Sequence, residues 1–580
     1  MLQDVRERLL RIALQNAVQH GGKAKAEPVL GKLLAERPDL RQKARELLSL
    51  VREVVDEVNA MPLHEQKRLL EERWPEALAR EKPEEKPQLP PLPNVEKYER
   101  VTTRFAPNPD CVLHLGSARA VILSHDYARL YKGRFYLRFD DTDPRTKRPR
   151  LEFYDAIRED LRWLGCGWDA EYMQSDRLPI YYRWAEKLLS KGYAYVCTCG
   201  REEFRRLVLS CLPCPCRSLP VEDQLERWEW MLDGTYGEGE AVVRIKTDLS
   251  HPNPAVREWP ALRIIDTEKH PHPRPEIGSK YRVWPLFNFA CAVDDHLLGI
   301  THIIRGKEHI TNEIRQRYMY HYLGWSYPEA IHYGRLKITG TVLSKSKIVK
   351  GVEEGVYEGW SDPKLATFKA LRRRGITPEA IRQIILEVGL KPVDVTLSWE
   401  NLYAYNRKII DPKANRYFFV EEPCPLALRG LDGEKVVELP LHPSYPERGR
   451  RVLRVKAEKG TAQLWVSRRD SEHMDVGSKF RLMGLANIEI VAVEDNTLIA
   501  EVHSWGVEEA KKLRIPLIHW LPNEGNVKMT VKGPQGSAVG LAEPNIMRES
   551  VDSVVQLVRY GFCRIDWKGE DEVLVYYAHP

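Results

Sequence analysis

The stretch from Arg104 to Ser117 holds residue types that can bind a phosphorylated ligand. A β-branched run at residues 101–103 predicts a strand before it, and apolar residues at helical spacing over 118–131 predict a helix after it. The helix is expected to start near His114, where unpaired N–H groups and a partial positive charge favour an anion. Gly116 allows close approach of a nucleotide, and His114 can donate hydrogen bonds to phosphate oxygens in a transition state.

A second segment carries a lysine suited to the same chemistry. Residues 341–347 read T-V-L-S-K-S-K, with Lys345 between two serines. Taken separately, the two segments have plainer interpretations: a surface histidine beside a helix-capping glycine, and a solvated Ser/Lys loop. Their order along the chain and their domain-scale separation favour one shared site.

The pair resembles the two signatures of the class I aminoacyl-tRNA synthetases. His114-Leu115-Gly116-Ser117 is similar to the HIGH motif, and residues 341–347 are similar to the KMSKS loop. The resemblance implies a Rossmann-type fold in which His114 and Lys345 stabilise charge on the phosphates of ATP, with Mg²⁺ accompanying the nucleotide. It also implies an ATP site formed by Pro107, His114, Gly116, Ser117, Ser344, Lys345 and Ser346.

The segment 284–309 resembles the glutamyl-tRNA synthetases in particular. Arg305 would bring a second positive charge to a pocket that contains Arg104, and two arginines can pair with the two carboxylates of glutamate. In the glutaminyl branch a small neutral residue stands at the position of Arg305, and Glu stands at the position of Asn108. A structural ion pair of Arg305 is the alternative. The resemblance implies a substrate pocket formed by Arg104, Asn108, Asp140, Phe287 and Arg305.

Four positions depart from the family pattern. Ser117 replaces the second His of HIGH, and Val342 replaces the first Lys of KMSKS, both of which have precedent among relatives. Cys111 stands where most relatives have Gly, which bears on the backbone conformation of the loop. Phe287 stands where relatives have a Tyr, so one hydrogen bond to the substrate side chain is expected to be missing.

A cluster of carboxylates follows the second predicted strand at residues 135–139. Asp140, Asp141 and Asp143 can bind magnesium or an ammonium group, or they can form an Asx-type turn with solvated charges. The strand–helix–strand order predicts a parallel sheet with its ligand beyond the carboxyl ends of the strands. Asn108 and Asp140 are therefore expected to face one crevice. The family resemblance makes Asp140 the group that holds the substrate's amino group.

Five of the ten cysteines fall between Cys197 and Cys216, which indicates a local metal site in a reducing compartment. Zinc takes four ligands in a tetrahedron, often two from each of two knuckles. The spacing, with the resemblance to archaeal-type enzymes, favours Cys197, Cys199, Cys214 and Cys216 as ligands of a structural zinc, with Cys211 as the spare. Reduced, half-buried cysteines without a metal are the alternative.

Composition sets broad limits. The chain has 580 residues, with 89 basic and 83 acidic side chains and a net charge of +6, which is compatible with a polyanionic partner. No apolar run approaches the roughly 18 residues of a membrane span. The first residues are charged and lack the apolar core of a signal peptide, so a cytoplasmic location without membrane contact is expected.

The patterns predict a multidomain α/β and all-β fold in seven regions. The expected regions are a helical N-terminal module (1–80), a Pro-rich linker (81–97), the first half of the catalytic nucleotide-binding fold (98–195), an insertion with a zinc knuckle (196–280), the second half of that fold (281–350), a helical connector (351–415) and a C-terminal β-barrel region (416–580). The family resemblance assigns the tRNA acceptor end to the insertion and the anticodon to the barrels. The N-terminal helices are expected to bind tRNA or a protein partner.

The chain as a whole resembles the archaeal-type glutamyl-tRNA synthetases. The resemblance implies that glutamate is activated with ATP to glutamyl-adenylate and transferred to the 3′ end of tRNA(Glu), with charging of tRNA(Gln) left open. A glutaminyl-tRNA synthetase is the nearest alternative. A non-catalytic RNA-binding relative is the alternative of another class, against which intact His114 and Lys345 speak.

Overall fold

The computed structural model describes residues 2–19, 22–37, 40, 44–74 and 89–580. The chain divides into two compact units, residues 1–88 and 89–580. Residues 81–88 of the predicted linker lie outside the described residues. Its remainder packs within the second unit, where the Pro90 carbonyl accepts a hydrogen bond from the Tyr127 hydroxyl at 2.9 Å and Leu92 is buried.

The first unit is helical, as the apolar periodicity predicts. Its helices are α1 (Leu2–Gln19), α2 (Ala26–Glu36), α3 (Ala44–Ala60) and α4 (Leu63–Arg73). Leu9, Ala13, Val51 and Val54 are fully buried in a shared apolar core. Gln66 is also buried; its amide nitrogen donates to the carbonyls of residues 22, 58 and 61, while its Oε1 has no partner among the described residues.

The second unit begins with a parallel sheet that carries the first signature. The elements are β1 (Thr102–Phe105), α5 (Leu115–Leu130), β2 (Arg134–Phe139), α6 (Leu151–Trp163), β3 (Ala170–Met173) and α7 (Leu178–Ser190). β2 lies between β1 and β3, with Thr102 paired with Arg134 and Tyr136 with Ala170. The β-α-β order predicts this parallel pairing, because the crossover helix returns the chain to the same edge of the sheet.

An antiparallel sheet follows, in the region of the predicted insertion. Its strands and helices are β4 (Ala194–Cys197), α8 (Arg201–Leu209), α9 (Val221–Asp233), β5 (Val242–Ile245), β6 (Pro260–Ile264) and β7 (Val283–Pro285). The four strands pair in chain order. The next elements are α10 (Phe287–Leu297), β8 (His302–Gly306), α11 (Ile310–Leu323), β9 (Glu329–Tyr333) and β10 (Leu336–Ile338). Trp228, Trp259 and Trp284 are almost fully buried in the core that α10, α11 and this sheet share.

Helices connect the α/β region to the C-terminal strands. They are α12 (Lys345–Glu353), α13 (Phe368–Arg374), α14 (Pro378–Val388) and α15 (Trp399–Ile410), with β11 (Val395–Leu397) paired with β10. Arg119 of α5 is fully buried and donates to the carbonyls of Gly334, Gly389 and Lys391 at 2.6–2.8 Å. One guanidinium therefore fixes α5 against the loop that follows β9 and the loop that follows α14.

The C-terminal region is all β apart from two short helices, α16 (Arg468–Ser471) and α17 (Val507–Lys512). Its strands are β12 (Arg416–Tyr417), β13 (Phe419–Glu421), β14 (Pro423–Arg429), β15 (Glu434–Pro440), β16 (Arg450–Glu458), β17 (Thr461–Ser467), β18 (Lys479–Leu482), β19 (Asn487–Glu494), β20 (Thr497–Ser504), β21 (Leu517–Ile518), β22 (Leu521–Pro522), β23 (Val527–Gly533), β24 (Gly536–Ala542), β25 (Val554–Leu557), β26 (Gly561–Lys568) and β27 (Glu572–His579).

These strands form a nine-stranded and a seven-stranded sheet, and each sheet has its own apolar core. In β16 the buried residues alternate with exposed ones, because successive side chains point to opposite faces of a strand. Arg451 of β16 and Glu543 form a buried ion pair that links the two sheets. The predicted fold class, an α/β catalytic fold with an insertion, N-terminal helices and a C-terminal β-barrel region, is confirmed.

Candidate active site

His114 caps the helix that follows the first strand. Its extended backbone places it at the N-cap of α5, and its Nδ1 accepts a hydrogen bond from the Gly116 N–H at 3.1 Å. The Leu115 N–H donates to the carbonyl of Ala366 at 2.8 Å, and an isolated β-bridge joins His114 to Thr367. The signature loop is therefore held on both sides, by its own helix and by the start of α13.

The His114 ring is expected to be uncharged. Burial, together with the positive charge of Lys345, lowers its pKa to about 4. The ring is then neutral near pH 7. Because Nδ1 accepts a hydrogen bond, its proton is assigned to Nε2, which can donate to a phosphate oxygen.

Gly116 is required beside that ring. A Cβ at position 116 would lie 2.8 Å from Cε1 and 2.9 Å from Nδ1 of His114, closer than real contacts allow.

We expect Gly116→Ala to displace the His114 ring and to lower kcat/KM for ATP-dependent activation by about 10²-fold, since a shift of about 1 Å has that effect on positioned groups. Pyrophosphate exchange measures it. Gly167→Ala is the control, because its Cβ meets nothing within 4 Å; equal rates in both variants would contradict the prediction.

The second signature meets the first in space. The Lys345 ammonium lies 2.9 Å from Oδ1 of Asp110 and 3.2 Å from the carbonyl oxygen of Asn108. Ser344 is the N-cap of α12, and its hydroxyl lies 3.2 Å from that of Ser346. The protein thus holds Lys345 beside the signature loop, paired with the carboxylate of Asp110.

The remaining predicted ATP residues lie along the same loop. The Pro107 carbonyl accepts from the Asp140 N–H at 2.9 Å, which ties the loop to the end of β2. The Ser117 N–H donates to the His114 carbonyl at 2.7 Å. Cys111 is fully buried and has no positive φ, so the loop does not need the expected glycine at this position.

The three clustered carboxylates have separate roles. Asp141 is fully buried and accepts from the Ser175 N–H, the Ser175 hydroxyl and the Tyr154 hydroxyl. Asp143 accepts from two backbone N–H groups just after it, as an Asx-type turn does. Asp140, just past β2, accepts from Nε of Arg138 and from the Cys291 thiol, and burial raises its pKa against the lowering effect of Arg138.

Arg104 is already paired inside the protein. Its Nε and Nη2 each lie 3.1 Å from a carboxylate oxygen of Asp295. Burial alone would raise the pKa of Asp295, but the charges of Arg104 and Arg138 outweigh it and lower the pKa to about 2. Among the described residues, Nη1 of Arg104 has no acceptor, so this nitrogen is the one available to a ligand.

Arg305 has only neutral partners. It is 6% exposed, and its nitrogens contact Nε2 of His332 (3.3 Å), Oε1 of Gln316 (3.3 Å) and the Tyr327 hydroxyl (3.0 Å). It forms no ion pair with a carboxylate of the described chain, which disfavours the structural ion pair considered from the sequence. Its guanidinium is held in place while its charge stays uncompensated.

The surroundings of Arg305 are electropositive. Burial, together with the nearby charges of Arg305 and Arg104, lowers the pKa of His309 to about 4. The ring of Phe287, 37% exposed, lies 5.4 Å from that of His309. The amide nitrogen of Asn108 donates to the Lys147 carbonyl at 3.1 Å, and its buried Oδ1 has no partner in the described chain.

Three residues that contact the predicted substrate residues are not identified from the sequence. They are Arg138, Asp295 and His309. The signal that could have found Arg138 is a charged residue inside the apolar strand β2. Asp295 and His309 lie in the segment that carries the family resemblance, yet nothing in their local sequence indicates which groups they face.

The structure brings together the four predicted zinc ligands. The Sγ atoms of Cys197, Cys199, Cys214 and Cys216 lie within 4.8 Å of one another, with separations of 3.9 Å (197–214) and 3.8 Å (199–216). A tetrahedral Zn–S₄ site with bonds of about 2.3 Å has S–S distances of about 3.8 Å, so the thiols fit zinc. The Thr198 N–H also points at Sγ of Cys216. Cys211 is exposed and lies outside the cluster.

Asp160 of α6 links pH to stability near the signature loop. It is 4% exposed, its Oδ2 has no partner among the described residues, and burial raises its pKa to about 8. Below about pH 4 both the folded and the unfolded state are protonated. As pH rises to about 8 the unfolded state loses the proton first, so stability is lost over this window.

We expect Asp160→Asn, which keeps an acceptor for the Leu113 N–H, to raise the melting temperature at pH 8 but hardly at pH 4. The gain at pH 8 is on the order of 5 kcal/mol. Calorimetry at both pH values measures it. Glu152→Gln, at an exposed site on the same helix, is the control. An equal effect of Asp160→Asn at both pH values would show that the ionisation of Asp160 does not make stability depend on pH.

A helix N-terminus that meets a Ser/Lys loop at the edge of a parallel sheet defines a nucleotide-binding site of the class I synthetase type. The family model described as "tRNA synthetases class I (E and Q), catalytic domain" matches residues 100–412. Two models described as the anti-codon binding domain of the same enzymes match residues 414–504 and 517–566. The chain belongs to this family.

Relatives match over the full length. A protein of Thermococcus kodakarensis named "Glutamate--tRNA ligase" is 53% identical and covers 100% of both chains. One of Pyrococcus furiosus with the same name is 53% identical over 99% of this chain and 100% of its own. A crystal structure of a glutamate tRNA ligase from Elizabethkingia meningosepticum is 21% identical, with a TM-score of 0.40 over 55% of this chain and 71% of its own. None of the described helices is long and apolar enough to cross a membrane.

Proposed function

We propose that this chain is a glutamate–tRNA ligase. Full-length relatives with that name support the activity. Glutamate attacks the α-phosphate of ATP, giving glutamyl-adenylate and pyrophosphate. The terminal ribose hydroxyl of tRNA then attacks the activated carbonyl, which forms the ester bond and releases AMP. Family membership implies the use of ATP, and Mg²⁺ is expected to accompany it.

The observation that carries the choice of amino acid is the uncompensated charge of Arg305. At neutral pH glutamate carries one net negative charge and glutamine carries none. Arg104, in contrast, is neutralised by Asp295. A glutamate side chain would balance Arg305, whereas glutamine would leave a buried cation unpaired, which is costly.

We assign the site residues as follows. His114 donates from Nε2 to a phosphate oxygen, and Lys345 leaves Asp110 to neutralise charge that develops on the phosphates. Asp140 accepts the substrate ammonium, and Nη1 of Arg104 and the guanidinium of Arg305 bind carboxylates. Asn108 and Phe287 form the edge of this pocket. The ATP site is completed by Pro107, Gly116, Ser117, Ser344 and Ser346.

The other regions are proposed to bind tRNA. The sequence-based division stands as a proposal: residues 196–280 bind the acceptor end and 416–580 the anticodon. The description of the two C-terminal family models supports the second assignment. A role of the N-terminal helices in binding tRNA or a protein partner, and a cytoplasmic location, stay predictions.

Aminoacylation of tRNA(Glu) and tRNA(Gln), each with glutamate and with glutamine, tests the function. We expect attachment of glutamate to tRNA(Glu). Attachment of glutamate to tRNA(Gln) as well would define a broader tRNA specificity. Preferential attachment of glutamine would establish the glutaminyl alternative, and no adenylate formation with either amino acid would support the non-catalytic one.

We also propose a structural zinc held by Cys197, Cys199, Cys214 and Cys216. All four ligands are thiols, which zinc binds well. Because two of them lie at the end of β4 and two beside the turn at Pro215–Ser218, zinc would crosslink these two segments.

Protein purified without chelator is expected to contain about one zinc per chain. Cys214→Ser is expected to lose the metal and to lower the melting temperature, because a tetrahedral site with three thiolates is incomplete. Cys211→Ser is the matched control, since this thiol is exposed and outside the cluster. Metal analysis decides, and zinc retained in Cys214→Ser would refute the ligand set.

A further inference from the structure

Arg138 joins the two ends of the proposed amino-acid pocket. It is 1% exposed, and its Nε donates to Oδ1 of Asp140 at 2.8 Å while Nη1 donates to Oδ1 of Asp295 at 2.7 Å. Asp295 in turn holds Arg104 through two hydrogen bonds. One planar guanidinium thus spans the distance between the carboxylate proposed to bind the ammonium group and the arginine proposed to bind a carboxylate.

The third nitrogen of Arg138 completes the support of Asp140. Nη2 contacts Sγ of Cys291 at 3.2 Å, and this thiol donates to Oδ2 of Asp140 at 3.1 Å. Both carboxylate oxygens of Asp140 are therefore held in place: Arg138 binds Oδ1 directly, and it supports Oδ2 through Cys291. A lysine at position 138 has a single nitrogen and cannot reproduce three contacts in one plane.

The charges of this cluster balance without a ligand. Three arginines (Arg104, Arg138, Arg177) face three carboxylates (Asp140, Asp294, Asp295) within ion-pair distance. Because the cluster is neutral and buried, its geometry changes little when substrate arrives. It can therefore act as a rigid base that sets the position of groups which touch the substrate.

We infer that Arg138 is a positioning residue for amino-acid recognition, which sets the spacing between Asp140 and Arg104 without touching substrate. The inference rests on the proposed function, because it takes glutamate as the ligand. It predicts a defect confined to the amino acid. ATP binds at the signature loops, which Arg138 does not contact among the described residues.

The test compares Arg138→Lys and Arg138→Met with the unaltered enzyme in pyrophosphate exchange, with glutamate and ATP varied separately. We expect KM for glutamate to rise by about 10²-fold in Arg138→Met and by about tenfold in Arg138→Lys, with KM for ATP unchanged in both. A general loss of structure would raise both constants. Arg138→Lys keeps the buried charge, so it serves if Arg138→Met does not fold.

A second measurement tests the route through Asp140. Calorimetric titration measures the glutamate affinity of Asp140→Asn, of Arg138→Lys and of the double variant. We expect the loss in the double variant to be smaller than the sum of the two single losses in free energy, because part of the effect of Arg138 acts through Asp140. Additive losses, or an unchanged KM for glutamate in Arg138→Lys, would overturn the inference. If the unaltered enzyme itself fails to activate glutamate, the proposed function fails instead.

Discussion

Arg305→Ala is expected to lower kcat/KM for glutamate activation by at least about 10²-fold and to remove the preference for glutamate over glutamine. Removing one partner of a buried charge pair costs about 3–5 kcal/mol. Among the described residues Arg305 has no carboxylate partner, and unlike buried Arg119, whose three nitrogens all donate to carbonyls, it lies beside Arg104 and His309 in the proposed pocket, so the substrate side chain would be its partner. Pyrophosphate exchange with each amino acid measures both the loss and the change in preference.

Two further variants interpret this result. Arg305→Lys keeps the charge but loses the planar fork to His332, Gln316 and Tyr327, so we expect an intermediate loss. Lys307→Ala removes a more exposed cation two residues along the chain, paired with Asp394, and is expected to leave activation unchanged. If Arg305→Ala retained its preference for glutamate, selection would have to come from another group, and the electrostatic account would fail.

Lys345→Ala is expected to slow adenylate formation by about 10²–10³-fold, the usual effect of removing one group that stabilises transition-state charge. Transfer from preformed adenylate to tRNA should change much less, because the pyrophosphate has already left. Rapid-quench measurement of the two steps separates them.

Lys350→Ala, an exposed cation on the same helix α12, controls for the local charge and is expected to behave as the unaltered enzyme. Equal slowing of both steps in Lys345→Ala would point to a general distortion of the loop. An unchanged rate of adenylate formation would remove Lys345 from the mechanism.

Much of this site follows from local sequence. A β-branched strand, a proline-containing loop and an apolar helix place His114 at a helix start, because each of these patterns acts over a few residues. The Cys-x-Cys spacing at residues 197–199 and 214–216 likewise predicts two knuckles, and their thiols lie together. Alternating residues predict the C-terminal strands, since side chains in a strand alternate between faces.

The pairing of charges does not follow from local sequence. The sequence predicts that Arg104 and Arg305 both bind carboxylates of glutamate in the same way. In the structure Arg104 is paired with Asp295, whereas Arg305 has no carboxylate partner among the described residues. Likewise, the adjacent carboxylates Asp140 and Asp141 look equivalent in sequence, but in the structure Asp141 is hydrogen-bonded to Tyr154 and Ser175, whereas Asp140 is paired with Arg138.

The sequence alone therefore determined the elements, the signatures and the residue types that can carry this chemistry. Only the tertiary structure decided which charges neutralise one another and which remain for a ligand. The reason is physical: ion pairs act over about 4 Å and join residues far apart in the chain, such as Arg104 with Asp295 and Lys345 with Asp110. These distances depend on how the sheet and helices pack together, and local sequence patterns do not predict that packing.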